Sequence, residues 1–270
     1  MFKGIVILDA GSSGTRFYAY QWIKDGLPPK VTLAYEGPKG MCIMLGYDDP
    51  SLSAFSAKKP LQSNTTEEDL KAYLNKIFEP AVTPSGNTGK KNLYESFGEN
   101  DKSPLKDVPI FVLGTAGMRV YERDHPTEHA RLKGWVEKYI KDRDEYEAGT
   151  YETITGESEA AYGWVAANFL LGAFSSEYET TARDTVGYLE MGGQSAQIAF
   201  RPFENELTPD MLHDGDITTI QLGTRNFDLV LKTWDLGSNQ AWREYQSDLI
   251  GSATENQVQC SQNVQTMNSC

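Results

Sequence analysis

Four short strings hold the side chains whose types and spacing could do chemistry. Asp9-Ala10-Gly11-Ser12-Ser13-Gly14-Thr15-Arg16 sets a carboxylate and a guanidinium around serine and threonine hydroxyls and two glycines. Gly11 and Gly14 remove side-chain bulk, Ser12, Ser13 and Thr15 offer hydroxyl hydrogens, and an anionic oxygen such as that of phosphate is the partner such a loop suits best. The plainer alternative is an Asx turn in which Asp9 accepts hydrogens from its own backbone. The string is not a dinucleotide-binding G-x-G-x-x-G, and no Gly-Lys-Ser or Gly-Lys-Thr follows to make it a P-loop.

A second string echoes the first. Glu190 stands two residues before Gly192, as Asp9 does before Gly11, and Gly192-Gly193-Gln194-Ser195 forms a bare turn beside it. If the two turns face each other across a cleft, their N–H groups and hydroxyls can cradle a phosphate chain, with Asp9 and Glu190 holding a metal between them. Glycine-rich hairpins that do no chemistry have the same outward form. The third string, Gly114-Thr115-Ala116-Gly117-Met118-Arg119, supplies a cation whose spacing favours a structural ion pair over phosphate. In the fourth, Thr155-Gly156-Glu157-Ser158-Glu159, carboxylates sit at a helix start, where capping accounts for at least one of them and activation of water is the alternative for the other.

Other chemistries fit less well. His125 and His129 are four apart but Pro126 intervenes and no third ligand is near, His213 is isolated, and Cys42, Cys260 and Cys270 lack zinc or redox spacing. No serine has a local histidine partner. Metal-assisted attack by water, or transfer between bound groups, is therefore favoured over a covalent enzyme intermediate. With 25 Lys and Arg against 38 Asp and Glu, a formal net charge of -13, the 270-residue chain is unsuited to a nucleic-acid polymer, and its acidity makes a divalent cation at a phosphate site more plausible.

The elements that must carry these strings alternate between strands and helices. Residues 5–8 and 17–22 read as a strand and its return, and 31–35 as a third strand. Residues 46–64 read as a surface loop. A helix is expected from Thr65 with Glu68 completing a capping box, a stripe of Leu70, Leu74, Ile77 and Phe78, and an end at Pro80. Residues 83–104 lack periodicity. A buried strand follows at 108–113, then helices carrying Leu132, Trp135, Val136, Tyr139 and Ile140 and spanning 157–171, and a polar connector near 175–184. Strand-like runs at 185–191 and 196–200 flank the second turn. The amino-terminal residues enter a strand directly without a signal-peptide pattern, and the most apolar later stretch, 164–174, is far short of the roughly 18 residues of a membrane span, so a soluble chain is expected.

In this order and at these separations, the strings resemble the signature regions of the apyrase family, the nucleoside triphosphate diphosphohydrolases, within the two-lobed actin-like and sugar-kinase-like superfamily. The first region resembles residues 9–16 and the second 114–119. The third resembles 154–172, including Tyr162-Gly163-Trp164 and Asn168-Phe169-Leu170-Leu171-Gly172, and the fourth resembles 189–200. Leu222-Gly223 and the stretch through Gly237 and Ala241 are similar to the segment after the fourth region. The resemblance implies an α/β, two-lobed actin-like (ribonuclease H-like) fold with mixed sheets, five-stranded in each lobe, and an interlobe nucleotide cleft. The candidate boundary between lobes, read from the chain's organisation, is the polar connector near 175–184 or the turn just before the helix; taking the latter, residues 1–155 would form the first lobe and 156–270 the second. The resemblance further implies that Glu159 is the base for water and that Ser195 and Gln197 hold that water. Ser12, Ser13, Gly14, Thr15, Thr115, Ala116, Arg119, Gly192 and Gly193 would bind the phosphates. Asp9 and Glu190 would bind Ca or Mg, chiefly through water.

Glu190 stands where the family has aspartate, and Ala160, Gln194 and Ala196 stand where Gly, a small residue and Thr are usual, yet base and metal charge are kept. Family chains continue beyond the position of Cys270, so the 270 residues are expected to be an N-terminal portion with an incomplete second lobe. The function implied is metal-dependent hydrolysis of the terminal phosphate of nucleoside tri- or diphosphates by direct attack of water, in the Golgi lumen or outside the cell. A phosphotransferase of the sugar- or acid-kinase type, and nucleotide binding with weak or no turnover, remain as alternatives. The Tyr162-Gly163-Trp164 string argues against a polyphosphate hydrolase.

Overall fold

A hairpin of two long strands founds the first sheet. The computed structural model describes residues 2–11, 14–23, 29–37, 66–82, 92–96, 108–143, 146–174, 184–203 and 217–254. β1 (Phe2–Gly11) pairs antiparallel with β2 (Gly14–Ile23) in a register that sets Asp9 opposite Arg16 and Gly11 opposite Gly14. Gly14 has φ 138°, a backbone region that side chains rarely enter, which is why glycine closes this tight reversal. β3 (Lys30–Glu36) extends one edge, while β4 (Pro109–Gly114) and β5 (Glu147–Thr153) add in parallel on the other, giving the order β3-β2-β1-β4-β5.

Strand alternation divides the side chains of β1 between two fates. Val6, Leu8 and Ala10 are buried with Phe17 and Ala19 of β2, whereas Asp9 and Arg16 have the opposite parity. That core is closed by α1 (Glu67–Val82) and α4 (Pro126–Lys141), whose Leu70, Leu74, Ile77, Phe78, Leu132, Val136 and Ile140 are buried, so both expected stripes pack inward. Trp135 packs against the same core while half-buried.

Three local readings need correction. The capping box of α1 is Thr66 with Asp69, one residue later than expected: Thr66 N donates to Asp69 Oδ2 at 2.9 Å and Asp69 N donates to Thr66 Oγ1 at 3.2 Å. Aspartate is short enough to reach back from that position. Pro80 lies inside the last turn and the helix runs on to Val82. Within the segment read as aperiodic lies α2 (Leu93–Ser96), capped by Asn92 and Glu95 through reciprocal bonds of 2.9 and 2.8 Å and anchored by buried Leu93 and Tyr94. The surface-loop reading at 46–64, His213 and the three cysteines lie outside the described residues.

The second sheet comprises β6 (Tyr188–Met191), β7 (Ala196–Phe200), β8 (Ile217–Leu222) and β9 (Arg225–Trp234) in the order β6-β7-β9-β8. Among the described residues it is four-stranded and antiparallel throughout, not five-stranded and mixed, because β6–β7 and β8–β9 pair as neighbours and no helical crossover brings in a parallel strand. α5 (Gly156–Leu170) packs on this sheet, with Ala160, Ala161 and Trp164 buried against Ala199, Phe227, Leu229 and Leu231. α6 (Ser238–Thr254) follows β9. No helix among the described residues is long and apolar enough to cross a membrane.

Candidate active site

Residues flanking the first glycine turn and those of the second line one cavity of about 160 Å³. From the first sheet and its following helix the cavity takes Asp9, Gly11, Arg16, Thr115 and Ala116; from the second it takes Glu159, Glu190, Gly192, Gly193, Gln194, Ser195 and Gln197. A larger cavity of about 250 Å³ between α1 and α4 contains none of the four strings.

At the end of β1, Asp9 Oδ2 accepts from Arg16 Nη1 at 3.1 Å across the hairpin. The next strand, β4, delivers Thr115, whose N–H reaches Ala10 O at 3.4 Å, and the chain then turns into α3 (Ala116–Asp124). Residues 114–119 are thus a strand end and a first helical turn. That turn aims Arg119 at the second sheet: Nη1 donates to Glu159 Oε2 at 2.9 Å and to Ile154 O at 3.0 Å, and Nη2 to Ser195 Oγ at 3.2 Å. The ion-pair reading of Arg119 fits these contacts.

Neither Glu157 nor Glu159 is the side-chain cap of α5. Thr155 is, its Oγ1 accepting from Ser158 N at 3.1 Å. Glu157 is exposed, whereas the Glu159 side chain is only 17% exposed and turns into the cavity. Both hydrogen bonds to its carboxylate, from Arg119 Nη1 and from Gln197 Nε2 at 3.4 Å, fall on Oε2, so Oε1 is left without a hydrogen bond from the described residues. Burial pushes the Glu159 carboxyl above the usual glutamate range; the hydrogen bond and charge of Arg119 pull against that, and the nearby charges of Glu190 and Asp9 add to the rise. Ser195 and Gln197, 2% and 1% exposed, are locked together: Gln197 Nε2 donates to Ser195 Oγ and to Thr233 Oγ1.

Glu190 is held from its own strand. The Tyr188 hydroxyl donates to Glu190 Oε2, since residues two apart on a strand share a face. The Tyr188 ring lies where a Cβ on Gly163 would sit, with Tyr188 Cε1 only 2.2 Å from that position. Gly163→Ala must therefore displace a ring that its own hydroxyl tethers. We expect a loss of about 1–3 kcal/mol, read as a lower denaturation midpoint, with Tyr188→Phe, which keeps the packing, costing less.

Not every expected residue lines the cavity. Ser12 and Ser13 lie outside the described residues, and Gly14 closes the hairpin without forming the lining. Thr15 was expected at the phosphates, but its parity places it with Phe17 and Ala19; it is fully buried, and its hydroxyl finds no partner among the described residues. Gln194, noted in the sequence only as a departure within the second turn, lines the cavity; Thr233 and Tyr188 support the site without having been singled out, and only strand parity, placing Tyr188 with Glu190, could have signalled one of them.

The donor set fits a divalent cation at this place. Asp9, Glu159 and Glu190 converge on a cavity whose neighbouring cations are Arg16 and Arg119, so carboxylates outnumber guanidiniums before any phosphate enters. No group of three or more His, Cys, Asp or Glu side chains among the described residues forms a closed metal cage. Two carboxylates with water completing the shell is the arrangement Mg in particular tolerates.

Comparison with known proteins follows the same lines. A Golgi apyrase of Schizosaccharomyces pombe is 31% identical over 267 residues, covering 92% of this chain and 40% of that protein. Nucleoside-triphosphatase ntp-1 of Caenorhabditis elegans is 29% identical over 266 residues, covering 93% and 41%. The chain thus spans about two fifths of the length of the curated relatives it matches. In fold it is similar to a solved nucleoside triphosphate hydrolase from Neospora caninum, with a TM-score of 0.53 at 19% identity over 88% of this chain and 45% of that one. This likeness agrees with the two-lobed actin-like α/β class. The model of the GDA1/CD39 (nucleoside phosphatase) family matches residues 100–269, and the chain belongs to that family.

Proposed function

We propose that this chain forms the catalytic cleft of a hydrolase that removes the terminal phosphate of nucleoside tri- or diphosphates by direct attack of water. The observation that carries the proposal is Glu159, a largely buried carboxylate whose Oε2 is fixed by Arg119 and Gln197 while Oε1 is left to meet a water beside the turn Gly192–Ser195. Ser195 and Gln197 orient that water. Its oxygen attacks the terminal phosphorus, its proton passes to Glu159, and the bridging P–O bond breaks to leave orthophosphate and the shortened nucleotide. Gly192, Gly193, Thr115 and Ala116 receive the phosphate oxygens. Ser12, Ser13 and Gly14 complete this cradle in the proposal, while Thr15 supports it from the core. Ca or Mg held by Asp9 and Glu190, chiefly through water, supplies the positive charge that a polyphosphate chain needs among these carboxylates.

The lobes of this reading are residues 1–155 and 156–270, with α5 as the first element of the second. The resemblance to Golgi apyrases supports a Golgi lumen or extracellular setting. Phosphate release against a panel of nucleotides, with and without an added alcohol acceptor, is the test. Release to water alone supports the hydrolase, acceptor-dependent transfer would indicate a kinase-type reaction, and binding without release would leave a nucleotide-binding protein.

Glu159 also gives a pH prediction. The base works deprotonated, so kcat falls as pH drops through its pKa, and burial sets that acidic limb above the range of an ordinary glutamate. Arg119→Ala deletes the two influences that lower it and should move the limb further toward alkaline pH; Arg119→Lys, keeping the charge, should move it less. A limb that stays in place in Arg119→Ala would separate the profile from Glu159.

A further inference from the structure

We propose that the start of α6 is the device that turns the backbone N–H groups of Gly193, Gln194 and Ser195 toward the cavity, making Gly237 and Ser238 positioning residues for phosphate binding. The inference rests on the reading that this cavity takes the phosphate end of a nucleotide. Ser238 N donates to Gly192 O at 2.9 Å, Asn239 N and Gln240 N to Gly193 O at 2.9 and 3.3 Å, and Gly237 N to Gln194 O at 2.9 Å. Ser238 Oγ adds a bond to Gly192 O at 3.2 Å. Three successive carbonyls of the turn are thus drawn to one side, by residues some forty positions further along the chain.

A trans peptide carries its N–H opposite its carbonyl. The N–H groups of Gly193, Gln194 and Ser195 therefore point away from α6, and none of them donates to a partner among the described residues. All three residues line the cavity that holds Glu159. A helix start ordinarily presents its own unsatisfied N–H groups to an anion. Here those groups are taken up by carbonyls, and the anion-seeking surface passes to the far face of the turn, where successive N–H groups form a nest. Each carbonyl that accepts from α6 polarises its own peptide and makes the N–H beyond it a better donor.

Gly237 is needed for this approach. A Cβ there would stand 2.5 Å from Gln194 N and from Gly193 C, and 2.6 Å from Gln194 C, all backbone atoms of the turn itself. Ser238, the first residue of α6, offers a gentler probe, because proline is tolerated at that helical position and removes the N–H and Oγ donors to Gly192 O while leaving the bonds of Gly237, Asn239 and Gln240 in place.

The test uses the full chain, a non-hydrolysable nucleoside triphosphate analogue and saturating Mg. In the parent, the amide resonances of Gly193, Gln194 and Ser195 should shift during titration. Ser238→Pro should weaken binding by about 5- to 10-fold, chiefly through the lost backbone bond with a smaller share from the hydroxyl, without lowering the unfolding midpoint appreciably. Gly237→Ala should weaken it more, and Ser238→Ala, which keeps the N–H, by less than about threefold. Binding at parental strength in both Ser238→Pro and Gly237→Ala, or the three amides unmoved while the analogue binds, would overturn the proposal. Failure of the parent to bind any nucleotide would instead remove the functional reading. The clamp is then judged by hydrogen exchange: protection of the Ser238 and Asn239 amides, lost in Gly237→Ala, sustains it, and exchange unprotected in the parent or unchanged in the variant refutes it.

Discussion

Glu159→Gln is expected to lower turnover by about 10²- to 10⁴-fold while leaving nucleotide affinity within a few-fold of the parent. The amide is nearly the same shape, and its oxygen can still accept from Arg119, so the network joining α3, α5 and β7 should persist. What is lost is the capacity to take a proton from water. Binding should not suffer, because removing one of three carboxylates around the cavity relieves repulsion toward an incoming phosphate. Glu157→Gln is the internal control: Glu157 shares the first turn of α5 but is exposed, and its variant should keep parental kinetics. Single-turnover phosphate release together with calorimetric affinity for the intact nucleotide separates the two quantities. Turnover of Glu159→Gln within a few-fold of the parent, at saturating Mg or Ca, would remove Glu159 as the base.

How much of this site could be read from sequence depended on the range over which its residues communicate. Asp9 and Glu190 were legible because each ends an apolar strand-like run beside a glycine turn, a signal contained in a few neighbouring positions. The hairpin β1–β2 and the helix stripes of α1 and α4 were legible for the same reason, their periodicities being local. Arg119 was different. Its partners Glu159 and Ser195 lie 40 and 76 residues away, so its spacing raised an ion pair without identifying the carboxylate. The clamp of α6 on the second turn spans more than forty residues, and nothing in Gly237-Ser238-Asn239-Gln240 marks those N–H groups as engaged. Thr15 was misplaced because the loop was read as a string of hydroxyls, although the alternation that buries Phe17 and Ala19 also buries Thr15. The short helix α2 escaped because four residues are too few for a periodic signal, while its Asn92–Glu95 capping pair was present in the sequence.

Chelation of divalent cations should reduce hydrolysis to background, and Asp9→Ala should lower catalytic efficiency by about 10²-fold or more at subsaturating Mg or Ca. The reason is charge. A di- or triphosphate brings several negative charges to a cavity that already gathers Asp9, Glu159 and Glu190, and Arg16 and Arg119 are each engaged with one of those carboxylates. A cation supplying several kcal/mol of charge stabilisation at the phosphoryl group corresponds to a rate factor of that size, since each 1.36 kcal/mol is about tenfold. Asp9 is expected to be the more demanding of the two carboxylates proposed to hold the metal, because its removal also breaks the cross-strand bond from Arg16. Glu190→Asp should be milder. The charge stays, but the shorter side chain draws back from the Tyr188 hydroxyl that fixes it, so the expected change is in the preference between Ca and Mg. Direct titration of Mn, Mg and Ca by calorimetry or paramagnetic relaxation gives a readout independent of turnover, with Asp9→Ala expected to bind more weakly in every case. Full hydrolysis after exhaustive chelation, or an Asp9→Ala protein with an unchanged metal titration, would move the cation away from the two echoed strand ends.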